Sequence, residues 1–316
     1  MQKVVWDMDP GIDDALSLIL ALRSPEVGIL GITVVAGNAP LEMTGSNARR
    51  VLEHLDAGNI PVAAGAAKPL CRPLEDALGY HGPYGLGDSS LPPPAASLHP
   101  EPAWDFLSRA ALEAPGEVTL LATGPLTNVA CAFERHPQLP GLLAGVVLMG
   151  GAYGLTSYGR GNRTPAAEFN IWQDPEAARV VFDSGAGILA VGLDVSMGPA
   201  ACLGARHLER IRTGQTPAAC LAAQLVQYEM RHHGCCRMHD PLALAVLIDA
   251  SLFRFVSGKV EVMVTDGPER GATRISPLDN GQESSGGSRP TQIASAVDGA
   301  RFLELFVSRI LDERHV

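Results

Sequence analysis

Short apolar runs and amphipathic stretches alternate along most of the chain. Residues 4–6 are apolar and rich in β-branched and aromatic types, and 27–35, 117–121, 145–149 and 188–193 repeat the pattern. Runs of this length predict buried strands. Between them, 14–23, 40–55, 126–135 and 175–183 read as helices. The first has leucines at 16, 18, 20 and 22 with small or apolar residues between. This succession predicts an α/β fold with a mostly parallel central sheet flanked by helices. The last third changes character. There 218–232 and 241–249 read as helices, 260–264 and 272–275 as a hairpin, and 296–311 as a closing helix. The proline-rich stretch 92–102 reads as a surface connection. No internal repeat is visible, and a single domain over 1–316 is expected.

Composition narrows the function classes. Of 316 residues, 46% are apolar, enough for a large core. The net charge of −10 is a poor match for a polyanion, which argues against nucleic acid and anionic membranes as partners. A small neutral substrate is compatible. The cysteines, Cys71, Cys131, Cys202, Cys220, Cys235 and Cys236, form no CxxC pair and read as reduced thiols of a cytoplasmic protein. No secretion signal is expected ahead of Lys3, and the longest apolar-rich run, 27–36, is too short to span a bilayer.

The chemistry concentrates at the end of the first strand. Asp7, Asp9, Asp13 and Asp14 fall within eight residues, with Pro10-Gly11 forcing a turn. In a parallel sheet, ligands bind where the strands end. Four carboxylates in one loop repel each other, so a cation, bound protons or full solvation must compensate. Capping of the next helix accounts for Asp13 or Asp14 but not for Asp7 and Asp9. Hard oxygen ligands select calcium or magnesium over zinc. The nearest zinc lookalike, the segment 232–236, lacks a second ligand pair.

The segment DMDPGIDDA over 7–15 resembles the opening signature of the inosine-uridine nucleoside hydrolases. The resemblance continues through VAGN at 35–38, His81-Gly82, ATGPLTN at 122–128 and Met149-Gly150-Gly151. It runs on through NRTPAAEFN at 162–170, Asp174-Pro175-Glu176-Ala177 and His239-Asp240-Pro241. It implies a Rossmann-like nucleoside hydrolase fold with calcium at the bottom of the pocket. Carried over by motif position, the ligands are Asp9, Asp14, Asp240 and the carbonyl of Thr123. The resemblance also implies that Asp13, Asn38 and Asn170 bind ribose hydroxyls, that Asn162 and Glu168 hold the 5′-hydroxyl side, and that Asp7 supports the ligands from behind. It implies, too, a homo-oligomer, dimer or tetramer.

The residues suit that chemistry. A vicinal diol, water, carboxylates and a carbonyl can together fill calcium's six to eight positions. Asp9, beside the bound water, is the expected general base. His239 is the expected general acid or relay to the departing base, since histidine titrates near neutrality; the bland alternative is a core histidine. The family's counterpart of His81 faces the base, although a surface histidine is the simpler reading from sequence. On the helix 218–232, Gln224, Tyr228 and Arg231 share a face and are expected to read the base, unless that face is merely solvated. His239-Asp240 resembles the non-specific or pyrimidine-preferring branch; the purine-specific branch usually has tryptophan before that aspartate. Met8 and Ser196-Met197 depart from common forms, outside the expected ligand set, and the glycine-rich 158–161 is a candidate lid. Two rivals stand beside this reading. One is a haloacid-dehalogenase-like phosphatase, whose DxD also follows a first strand. The other is a non-catalytic, calcium-dependent nucleoside-binding or ribose-binding protein.

Overall fold

Val4 to Met8 are buried without a break, as a strand covered on both faces must be. They belong to β1 (Gln2–Met8) of a computed structural model that describes residues 1–277 and 289–312. The strands that follow are β2 (Val27–Val34), β3 (Val62–Ala64), β4 (Val118–Ala122), β5 (Gly145–Met149) and β6 (Ile188–Val191). A short pair, β7 (Cys202–Leu203) with β8 (Cys236–Arg237), stands apart from the main sheet. The last strands are β9 (Phe253–Val262), β10 (Thr273–Pro277) and β11 (Thr291–Val297).

Nine strands form one sheet in the order β10-β9-β11-β6-β5-β4-β1-β2-β3. From β11 to β3 every neighbouring pair is parallel, while β9 runs antiparallel to β10 and β11. The expected mostly parallel sheet is therefore present. Side chains alternate across it. Trp6 and Met8 join one apolar layer with the helices Ile12–Leu22, Pro217–His233, His239–Ile248 and Gly299–Leu311. Val5 joins the opposite layer with Ala103–Glu113, Thr127–Arg135 and Pro175–Asp183.

Several elements depart from the sequence pattern, among them the helix Ala205–Ile211 and the start of β9 at Phe253. Residues 296–297 are not helical: they end β11, and the closing helix starts at Gly299 behind the Asp298 cap. The pattern misses β11 because it alternates small and polar residues, and the sheet supplies the order. Helix Ala103–Glu113 and three-residue β3 also escape prediction. The cysteines are not all thiols, because Cys202 and Cys235 form a disulfide beside the β7–β8 pair.

Register sets the site. Asp7 lies beside Thr33 on β2 and Ala122 on β4, so the carboxyl ends of three strands close on one point. Two helices also begin there. Asp13 and Asp14 occupy the first turn of Ile12–Leu22, and Asp240 the first turn of His239–Ile248. Both helix N-termini carry partial positive charge, which offsets the repulsion among the carboxylates.

Candidate active site

Asp7 is fully buried below the loop. Its Oδ1 accepts from Thr33 Oγ1 at 2.6 Å and Asn128 Nδ2 at 2.8 Å, and its carbonyl accepts from Thr123 N at 2.8 Å. Burial pushes this carboxyl up to about 7. Asp7 thus ties β1, β2 and β4 together beneath the site and does not line the pocket.

Above it, Asp9 Oδ2 accepts from Asn38 N at 2.7 Å, while Oδ1 is buried with no partner. A side-chain carbon on Gly37 or Gly124 would run into this carboxylate, which accounts for both glycines. Asp13, Asp14 and Asp240 bring carboxylate oxygens within 4.8 Å of one another. Asp9 is not a member of this trio; Asp13, expected toward ribose, takes that place. Asp14 Oδ2 accepts from Gly11 N at 2.9 Å and Oδ1 from Thr123 Oγ1 at 3.1 Å. Burial is the main force raising all four carboxyls. Asp14 is pushed up to about 6, and Asp9, Asp13 and Asp240 are raised further by neighbouring charge.

Thr123 is the hub. Its hydroxyl accepts from Trp6 Nε1 at 3.0 Å and its carbonyl from Asn170 Nδ2 at 2.9 Å. Asn170, expected at the ribose hydroxyls, gives its Nδ2 to the carbonyls of Thr123 and Met149 and lines the pocket. Glu168 spends its carboxylate on the backbone of Gly151, Asn170 and Ile171, capping the helix Phe169–Gln173, yet still borders the pocket. Asn162 sits exposed at the rim and accepts from Phe169 N.

Asp13 and Asp240 line a pocket of about 440 Å³, which the fully buried Asp9 and Asp14 do not. Its histidines differ from expectation. Ile12 N donates to His81 Nδ1 at 3.2 Å, so Nε2 carries the proton given to Asn38 Oδ1 at 3.1 Å. That bond turns Asn38 Nδ2 toward Asp9 O and Asp14 Oδ2. Both His81 nitrogens are thus engaged by the protein, and burial holds the ring down to about 3. His81 orients Asn38 and offers no free nitrogen to a base. His239 does not titrate near neutrality either: burial, then the charge of Arg237, holds it down to about 4. Its Nδ1 lies 2.8 Å from Ser196 Oγ, so Ser196 reaches the site after all.

The helix Pro217–His233 shows the clearest correction. Gln224 is exposed, and Tyr228 packs against the loop at Gly82 and Gly87; neither lines the pocket. The inward stripe runs Ala218, Ala222, Leu225, Glu229, and the pocket meets Glu229. Tyr80 donates its hydroxyl to Glu229 Oε2 at 3.1 Å, Oε1 has no partner, and burial pushes the carboxyl up to about 7. Arg237 and Met197 also border the pocket. A glutamate ending an apolar stripe was the available signal for Glu229.

A family model described as inosine-uridine preferring nucleoside hydrolase matches residues 4–304. The chain belongs to this family. It is therefore an enzyme, a ribonucleoside hydrolase, of a metal-dependent class, and the acidic trio is where it can hold an ion. Among its relatives, the pyrimidine-specific ribonucleoside hydrolase RihA of Salmonella arizonae is 41% identical over 82% of this chain and 83% of that protein. RihA of an Enterobacter species is 38% identical over 97% of each. The purine-preferring ribonucleoside hydrolase of Gardnerella vaginalis superposes with a TM-score of 0.89 at 31% identity, covering 98% of each chain. A plant nucleoside hydrolase, PpNRh1, gives 0.88 at 31%, covering 98% and 99%. The membership sets aside the phosphatase alternative. No described helix of this nucleoside hydrolase is long and apolar enough to cross a membrane.

Proposed function

We propose that this hydrolase cleaves the N-glycosidic bond of ribonucleosides with a preference for pyrimidines, as one domain holding calcium. The observation that carries the metal is the convergence of Asp13, Asp14 and Asp240 within 4.8 Å, with Asp13 and Asp240 lining the pocket. The donor set is oxygen only, and the buried Asp9 Oδ1 and Asp13 Oδ1 lack partners, as a hard cation's ligands would without it. When bound, calcium orients the ribose diol and lowers the pKa of a water.

The protein's own residues supply the remainder. Asp14, Asp240 and the Thr123 carbonyl would hold the ion, with Asp9 as a further ligand through its unpartnered Oδ1 and as the base that takes the water's proton. Asp13, which belongs to the trio and lines the pocket beside Asp240, reaches from the ion's site to the ribose hydroxyls, which Asn38 and Asn170 also fix, and Asn162 and Glu168 border the 5′ side. Fixed dipoles around the ring stabilise the positive charge that develops as the bond breaks. A neutral His239 acts as a relay: it gives the proton on Nε2 to the departing base and takes one at Nδ1 through the Ser196 hydroxyl, which recovers its own proton from solvent water. Its low pKa suits a relay better than a charged acid.

The pyrimidine preference rests on the RihA relatives, about ten percentage points more identical than the purine-preferring structure. The cytoplasmic location and the dimer or tetramer expected from sequence stay within this proposal, to be read by fractionation and light scattering. The deciding experiment is ribose release from uridine, cytidine, inosine, adenosine and guanosine, with and without chelator and calcium add-back. Calcium-restored release, fastest from uridine or cytidine, is expected. Tight binding without turnover would instead favour a nucleoside-binding protein.

A further inference from the structure

The pocket wall holds a carboxyl and a guanidinium that feel each other's charge but form no ion pair. Glu229 is 3% exposed and borders the pocket, with Oε1 lacking any partner. Arg237, half-buried on β8, borders the same pocket and makes only a 3.5 Å bond to Met197 O. No ion pair joins them among the described residues. A buried carboxyl oxygen without a partner is costly, and such groups are retained where a ligand completes them.

Their place in the pocket says which part of the ligand they meet. The floor is taken by Asp13, Thr123 and Asp240, and the 5′ side by Asn162 and Glu168. Of the other charged lining residues, Asp76 accepts from Leu78 N and Arg163 pairs with Glu75, so the wall with Tyr80, Glu229, Arg237 and His239 is the one we assign to the base. Of these, Tyr80 already gives its hydroxyl to Glu229, and His239 is bound to Ser196.

We propose that Glu229 and Arg237 read the edge of the nucleobase, Glu229 accepting a base N–H and Arg237 donating to the neighbouring ring nitrogen or carbonyl. One acceptor beside one donor matches an edge with an N–H next to an acceptor. Uracil offers N3–H beside O4, and cytosine its amino group beside N3. A site built to hydrogen-bond a polar edge rejects analogues lacking it far more strongly than an apolar slot does. The inference rests on the hydrolase reading above and adds the group that chooses the base.

The test compares kcat/KM for uridine, 3-methyluridine and p-nitrophenyl riboside, which has no such edge. The unaltered enzyme is expected to prefer uridine to 3-methyluridine by at least about tenfold. In Glu229→Leu, the loss on uridine is expected to exceed the loss on p-nitrophenyl riboside by about tenfold or more, and the preference against 3-methyluridine to shrink. Glu229→Gln, which keeps size and one acceptor, should fall between the two. Equal losses on both substrates would make Glu229 a support for Tyr80 and overturn the proposal. So would an unaltered enzyme indifferent to N3 methylation, a result independent of whether Glu229→Leu folds. No turnover of any of the three substrates would instead defeat the hydrolase reading beneath it.

Discussion

Asp9 has two proposed duties, ligand and base, both resting on its buried, unpartnered Oδ1. Asp9→Ala is therefore expected to cost at least about 10³-fold in kcat, measured on folded protein with saturating calcium; near-full activity would end its role. His239→Ala is expected to lower turnover of uridine by about 10²-fold or more. It should spare p-nitrophenyl riboside, whose leaving group needs no proton, and equal losses would argue against proton delivery. Ser196→Ala should show a weaker form of the same split. At this scale the aspartates were legible because four carboxylates crowded behind one strand exceed what capping a single helix can use. The histidine roles were not. His81 and His239 are defined by what their ring nitrogens meet, Ile12 N, Asn38 and Ser196, and each partner is distant in sequence.

Elements turned charge into a site. β1 was legible as an unbroken apolar run, and its parallel neighbours followed from the same pattern. β11 and β3 were not, because their order comes from the sheet. The helix Pro217–His233 was found, but its rotation was not. Choosing Gln224 and Tyr228 as the inward face put the polar stripe inside, whereas Ala218, Ala222 and Leu225 settle the helix with Glu229 inward. The Cys202–Cys235 bond fastens the end of this helix to the segment following Met197, so both sides of the base wall share one tie. Its 33-residue separation predicts that Cys202→Ser loses up to about 4 kcal/mol under non-reducing conditions by the chain-entropy relation. With dithiothreitol, variant and parent should melt together. Identical melting without reductant would show that the bond is open in solution.

For the whole molecule, the buried carboxylates make stability depend on pH and on metal. In the folded chain Asp14 and Asp7 are raised to about 6 and 7, above their ordinary value of 3.8. Protons thus stabilise the metal-free fold fully below about pH 4, and this contribution is lost as pH rises through 6 and 7. The melting temperature in chelator is expected to fall between about pH 5.5 and pH 8. Calcium, competing with those protons, should raise it most at the alkaline end. At a hundredfold excess over Kd its effect is about 2.7 kcal/mol; a melting point flat in pH with metal removed would contradict this. The two helix N-termini that meet at the site come from opposite halves of the chain. During synthesis, therefore, the acidic loop leaves the ribosome first and must wait for Asp240. A nascent chain stalled before that residue would have the N-terminal aspartates but not the Asp13–Asp14–Asp240 convergence, so in the proposed reading metal capture waits for the last stages of folding.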